Sequence, residues 1–149
     1  MSELITLLKK LLADNIALKF KAHGYHWNVE SDDFPQFHKF FADIYESYDE
    51  AADNYAEWIR ILKAYAPYRL TDFFDMSSVP EPAIVGDPQP MLSDLYMSIE
   101  AHIEKLIVAG KLANEANEFG LANFFAERQA ASQKFCWQIR ASMEIEEMD

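Results

Sequence analysis

Five of the six prolines fall between residues 66 and 90: Pro67, Pro80, Pro82, Pro88 and Pro90. Proline removes a backbone donor and clashes with the preceding turn, so it breaks a helix interior. The chain is thus free to form long helices before and after this stretch and barred from a long helix within it. Apolar residues on the first side recur at Leu4, Leu7, Leu8, Leu11, Leu12, Ile16, Ala17 and Phe20. Steps of three and four predict a helix over 4–27. Asp32 or Asp33 then offers an N-cap, and Pro35 suits a first turn. A second helix is expected over 34–65, which has no glycine and no internal proline. The proline-rich connection carries LTDFFDM at 70–76, a short helix candidate. A third helix is expected over 90–118, broken by Gly120, and a fourth over 121–146.

Four long helices, short links within each pair and one long crossover between the pairs describe an all-α, ferritin-like four-helix bundle. The pattern alone also fits a cytokine-like or other bundle. The 149 residues fit one domain, 1–149. No apolar run approaches the ~20 residues that span a bilayer. The start, MSELITLLKKLLADN, reads as an amphipathic helix and not a signal peptide. One cysteine, Cys136, allows no internal disulfide and fits a reducing, cytoplasmic setting. In KFCWQI it reads as a small core residue.

Thirteen basic against 25 acidic residues give a formal charge of −12. Phosphate binding needs clustered Lys or Arg, and the chain has no Lys-rich tail; it ends EIEEMD. DNA binding is therefore not expected, nor is a membrane partner.

Three of the four histidines, His23, His26 and His38, lie in KAHGYHWNVESDDFPQFHKF at 21–40, where one helix ends and the next begins. The second helix adds Glu46, Asp49, Asp53 and Glu57. The last three are spaced by four, on one face, where like charges repel unless cations or water offset them. Alone, such a stripe also reads as a solvated face, and a helix-end histidine as a structural one. The Glu-x-x-His motif of intra-bundle di-iron sites does not occur, so none is expected inside the bundle. His38 and Asp53 are 15 residues apart on one expected helix, roughly 22 Å at its usual rise. One chain cannot bring both to one metal. Two chains can, if their second helices run antiparallel across a two-fold axis, and the pairing then makes two sites. Imidazole and carboxylate together suit iron or zinc.

YHWNV at 25–29, His38 twelve residues after His26, and DNYAE at 53–57 resemble the Dps mini-ferritins. WIRILKAY, PYRLTDFFDMSS and FCWQIRA extend the likeness over nearly the whole chain. The resemblance implies a twelve-subunit hollow shell that oxidises Fe(II), preferably with hydrogen peroxide, and stores a ferric mineral. It implies His26 and His38 as ligands from one subunit, Asp53 and Glu57 as ligands from its two-fold partner, and zinc as a substitute metal. It implies Trp27 beside the site, where an aromatic ring intercepts one-electron oxidants; ordinary packing is the other reading of Trp27. His23 is read as structural rather than as an accessory ligand. The family's further Asp, four residues after the second histidine, is Ala42 here. Asp43 is rotated by about 100° around the helix from it. Glu46, one turn on, points the same way as Ala42 and can assist. Glu115, Glu118 and Glu127 read either as a negative iron-entry field or as surface charge. Two alternatives to iron oxidation stand: a shell that kept the fold with an impaired site, and a non-redox metal binder.

Overall fold

The computed structural model describes residues 1–144. It has five helices: α1 (Ser2–Asn28), α2 (Phe34–Ile61), α3 (Leu70–Met76), α4 (Pro88–Glu115) and α5 (Phe119–Ser142). α1 and α2 pair through a short turn, as do α4 and α5, and the segment holding α3 crosses between the pairs over α1. The expected bundle and crossover are both present. Among the described residues, no helix is long and apolar enough to cross a membrane.

Three boundaries differ from expectation. α2 stops at Ile61, four residues early. Lys63 takes a left-handed φ of 71°, its N–H donates to the Arg60 carbonyl, and the Ala64 N–H donates to that of Ile59. This is a Schellman closure without the glycine that usually marks one. α4 ends at Glu115 by the same device, with Asn117 at φ 60°. Gly120 is therefore not the break. It lies inside α5, where an added Cβ would come within 3.1 Å of the Trp58 ring. α5 ends at Ser142; of the four further residues expected to be helical, 145 and 146 lie outside the described residues, as does EIEEMD beyond Glu144.

Two apolar clusters fill the bundle. One gathers Leu18, Tyr25, Phe41, Ile44 and Tyr48 with Met91, Leu95 and Ile139. The other gathers Leu8, Leu11, Tyr55 and Ile59 with Leu106, Leu121 and Phe125. Each fully buried Leu or Ile contributes roughly 1.5–3 kcal/mol. His102 touches both clusters, edge-on to the Tyr48 ring and 3.5 Å from the Tyr55 hydroxyl. Around it Tyr48 and Ser132 share a 2.8 Å hydroxyl bond, and Asn15 donates to the Tyr48 carbonyl. The polar groups of the bundle interior are thus phenols, a hydroxyl, an amide and an imidazole.

The buried carboxylate Asp14 has a different task. It accepts from the Ser78 N–H and the Ser77 hydroxyl and pairs with Lys105 at 2.7 Å. It thereby ties the crossover and α4 to α1. At the far end of the crossover, Gly86 forms a parallel bridge with Val29, just past the end of α1. Its φ of +85° favours glycine. Cys136 is buried, and burial pushes its thiol up to about 12, so it is inert packing.

Burial also lowers His102 from its ordinary 6.5 to about 4, against a smaller opposing pull from Asp14. The folded protein holds it neutral, while the unfolded chain takes up a proton below pH 6.5. Its contribution is therefore full above pH 6.5 and is lost as pH falls towards 4. Urea denaturation of wild type and His102→Gln across this window should show the steeper acid loss in wild type. Equal slopes would contradict the assignment.

Candidate metal centre

The turn between α1 and α2 sets His26, in the last turn of α1, against His38, in the second turn of α2. Their rings stack with centroids 3.7 Å apart and planes 14° apart. His26 Nδ1 lies 2.6 Å from the His38 carbonyl, and His38 Nδ1 lies 2.7 Å from the His26 carbonyl. A carbonyl only accepts, so both Nδ1 atoms carry the proton. Each imidazole thus presents Nε2 with its lone pair, which is the state a metal requires. The reciprocal bonds also fix both ring planes. Phe34 stacks on the outer face of His38, with centroids 4.8 Å apart.

A second aromatic group adjoins this pair. His23, one turn before His26, stacks on Tyr45 with centroids 3.9 Å and planes 5° apart. Trp27 packs on His23 at 4.2 Å and is 63% exposed. Trp27 thus packs on His23, with no ring contact between Trp27 and His26 or His38. Tyr45 touches His26, with centroids 5.3 Å apart. Burial, and then the charges of Lys19 and His26, hold His23 below its ordinary value, with Asp49 opposing.

Glu46, Asp53 and Glu57 are all exposed on α2, the same unbroken helix as His38. Asp53 and Glu57 lie well along it from the histidines, roughly 22 Å and 28 Å by helical rise. No three His, Cys, Asp or Glu side chains among the described residues converge on one point. One chain therefore supplies two nitrogen donors at one end of α2 and two carboxylates towards the other, and joins them nowhere. Ala42 is half-buried, and the adjacent Asp43 is taken up by Lys39 at 2.7 Å. Glu115 and Glu127 are exposed and Glu118 half-buried around the α4–α5 turn.

The sequence reading found the histidines and missed what holds them. The backbone carbonyls that fix the rings have no sequence signal. Tyr45 does have one: it is seven residues after His38, two turns along the same face.

A bundle with one crossover and a histidine pair at its α1–α2 turn is of ferritin-like class. A family model described as a ferritin-like domain matches residues 5–148. The DNA protection during starvation protein of Helicobacter pylori is 30% identical over 140 residues, which cover 92% of this chain and 96% of that one. The crystal structure of Dps from Staphylococcus aureus superposes with a TM-score of 0.93 at 22% identity, covering 98% of both chains. That of Vibrio cholerae Dps, described as a member of a broad superfamily of ferritin-like diiron-carboxylate proteins, gives 0.91 at 22% identity over 96% of this chain and 90% of that one. The chain belongs to the Dps family of ferritin-like proteins.

The Nδ1–H assignment is testable without metal. Solid-state NMR of protein labelled with 15N-histidine should show His26 and His38 with protonated Nδ1 and bare Nε2 at neutral pH. Zinc should then shift the Nε2 resonances of these two residues. Protonated Nε2 with bare Nδ1 at either residue would contradict the geometry.

Proposed function

We propose that this protein, as one domain over residues 1–149, is an iron-storing ferroxidase that assembles into a hollow shell of twelve subunits. The observation that carries the reading is the His26–His38 pair, tied at Nδ1 and bare at Nε2, on a Dps-type bundle. Fe(II) is the substrate. His26 and His38 of one subunit bind it, and Asp53 and Glu57 of a second copy complete the set across a two-fold axis. The two carboxylates offset the metal's charge, and the imidazoles leave it able to be oxidised. Glu46 stands where it can assist. Zinc fits the same donors without redox chemistry.

With two irons, the step is 2 Fe2+ + H2O2 + 2 H+ → 2 Fe3+ + 2 H2O. No hydroxyl radical is released, and the ferric product passes to the interior as mineral. Both reagents of damaging iron–peroxide chemistry are removed together, in the cytoplasm. Ala42, with Asp43 paired to Lys39, favours a site short of one carboxylate and a weakly held second iron. The alternative that follows is a shell whose site is impaired and whose role is structural or non-redox metal binding. The acidic balance of the chain supports a shell that leaves DNA unbound at physiological salt.

The test is anaerobic loading with Fe(II) followed by hydrogen peroxide. Ferric formation should exceed that of a protein-free control, with the iron staying soluble. His38→Ala, which removes a proposed ligand, should abolish the fast oxidation and leave a rate near that of the protein-free control. A wild-type rate equal to the control would favour the impaired shell. In a gel shift at moderate salt, DNA should run unretarded; retardation would contradict the electrostatic argument.

A further inference from the structure

We propose that Gly86 is a positioning residue for the histidine pair: its backbone holds the last turn of α1 where His26 and His38 lock each other and present Nε2. The inference rests on the metal-site reading above and adds to it a support from outside the two helices that carry the histidines. Its starting point is a set of helix-end carbonyls. The last four carbonyls of a helix have no partner within it. In α1 these belong to Tyr25, His26, Trp27 and Asn28. The Tyr25 carbonyl accepts from the Val29 N–H, and the His26 carbonyl from His38 Nδ1–H at 2.7 Å. The Asn28 carbonyl accepts from the Gly86 N–H at 3.0 Å. A ligand imidazole and the crossover's glycine thus tie down carbonyls two residues apart in one helical turn.

The tie runs in both directions. The Glu30 N–H donates to the Gly86 carbonyl at 2.8 Å, so both backbone groups of Gly86 are spent on the residues flanking Val29. Val29 is buried in the same apolar cluster as Tyr25 and Phe41. On its other side Gly86 adjoins Asp87, the N-cap of α4, whose carboxylate accepts from the Gln89 N–H at 2.9 Å. The start of α4 therefore holds Gly86, and Gly86 holds the end of α1. Fraying of that turn would move the His26 carbonyl and break the reciprocal bonds that fix both rings.

The residue type follows from the backbone. Gly86 has φ +85°, a region open to glycine, tolerated by Asn and costly for Ala. Space is not the obstacle: the nearest neighbour of an added Cβ is Glu30 Oε1 at 3.7 Å, an ordinary contact. Ala and Asn at this position therefore separate conformation from bulk. Linkage adds a second consequence. If the bridge favours the metal-binding arrangement, metal must stabilise the bridge by the same factor.

The experiment titrates zinc into the assembled protein, follows affinity by calorimetry and follows the ligands by 15N-histidine NMR. Gly86→Ala should bind zinc roughly 10-fold more weakly, the scale for outer partners of a ligating histidine. Before zinc is added, its His26 and His38 signals should be broadened or split. Gly86→Asn should bind nearly as wild type does. Ser78→Ala weakens the Asp14 clamp at the near end of the crossover; it should lower Tm and leave the affinity unchanged. Wild type alone supplies a further test: zinc should slow hydrogen exchange at the Gly86 and Glu30 amides and leave the Ser78 amide as it was. Wild-type affinity in Gly86→Ala, equal weakening in Gly86→Asn or Ser78→Ala, or exchange at Gly86 and Glu30 indifferent to zinc would overturn this inference alone. Failure of zinc to shift the His26 and His38 resonances of wild type would overturn it together with the metal-site reading.

Discussion

α2 is a single helix of 28 residues, and a helix cannot bring its two ends together. That constraint decides the chemistry open to this chain. His38 sits near its start, with His26 of α1 stacked against it, and the carboxylates Asp53 and Glu57 lie several turns on. Among the described residues, one chain therefore brings no three such side chains to a common point. On the proposed reading, a second copy running the opposite way converts this separation into a pair of complete sites. On that reading assembly and activity become one property.

The interior and the histidine turn divide the polar work between them. Within the bundle, Tyr48, Tyr55, His102 and Ser132 bind one another, and Asp14 clamps the crossover through Lys105 and Ser78. Tyr48, Tyr55, His102, Ser132 and Asp14 are buried and join neighbouring elements, while Lys105 and Ser78 reach the surface. At the turn the opposite holds: His26 and His38 spend their inner nitrogens on each other's carbonyls and leave the outer ones open. The Val29–Gly86 bridge pins the crossover's far end beside that turn. The bundle's polar core thus contributes rigidity to a site that it does not itself contain.

The fold was legible because its signals are local and repeated. Helical spacing gave α1 to within a few residues, LTDFFDM is α3 as expected, and proline marked where the chain crosses over. The missed boundaries had one cause. Lys63 and Asn117 close α2 and α4 in left-handed conformations without glycine, while Gly120 makes room for Trp58 inside a helix. A conformation imposed by packing leaves no residue type to read. The site was half legible. Histidine and acid spacing exposed the ligand candidates and their separation along one helix. The reciprocal bonds to backbone carbonyls, and the contact of Tyr45 with His26, exist only once α1 and α2 are paired in space.

The claim that the site is shared between subunits can be tested by complementation. His38→Ala and Glu57→Ala subunits are purified separately, each expected to be inactive, then dissociated, mixed in equal amounts and reassembled. In a mixed pair one site loses both residues and the other regains a full set. Random pairing makes half of all pairs mixed, so about a quarter of the wild-type peroxide-dependent iron oxidation should return. Recovery of that activity is the result the account predicts. A mixed assembly as inactive as its two parents would contradict a site built from two chains.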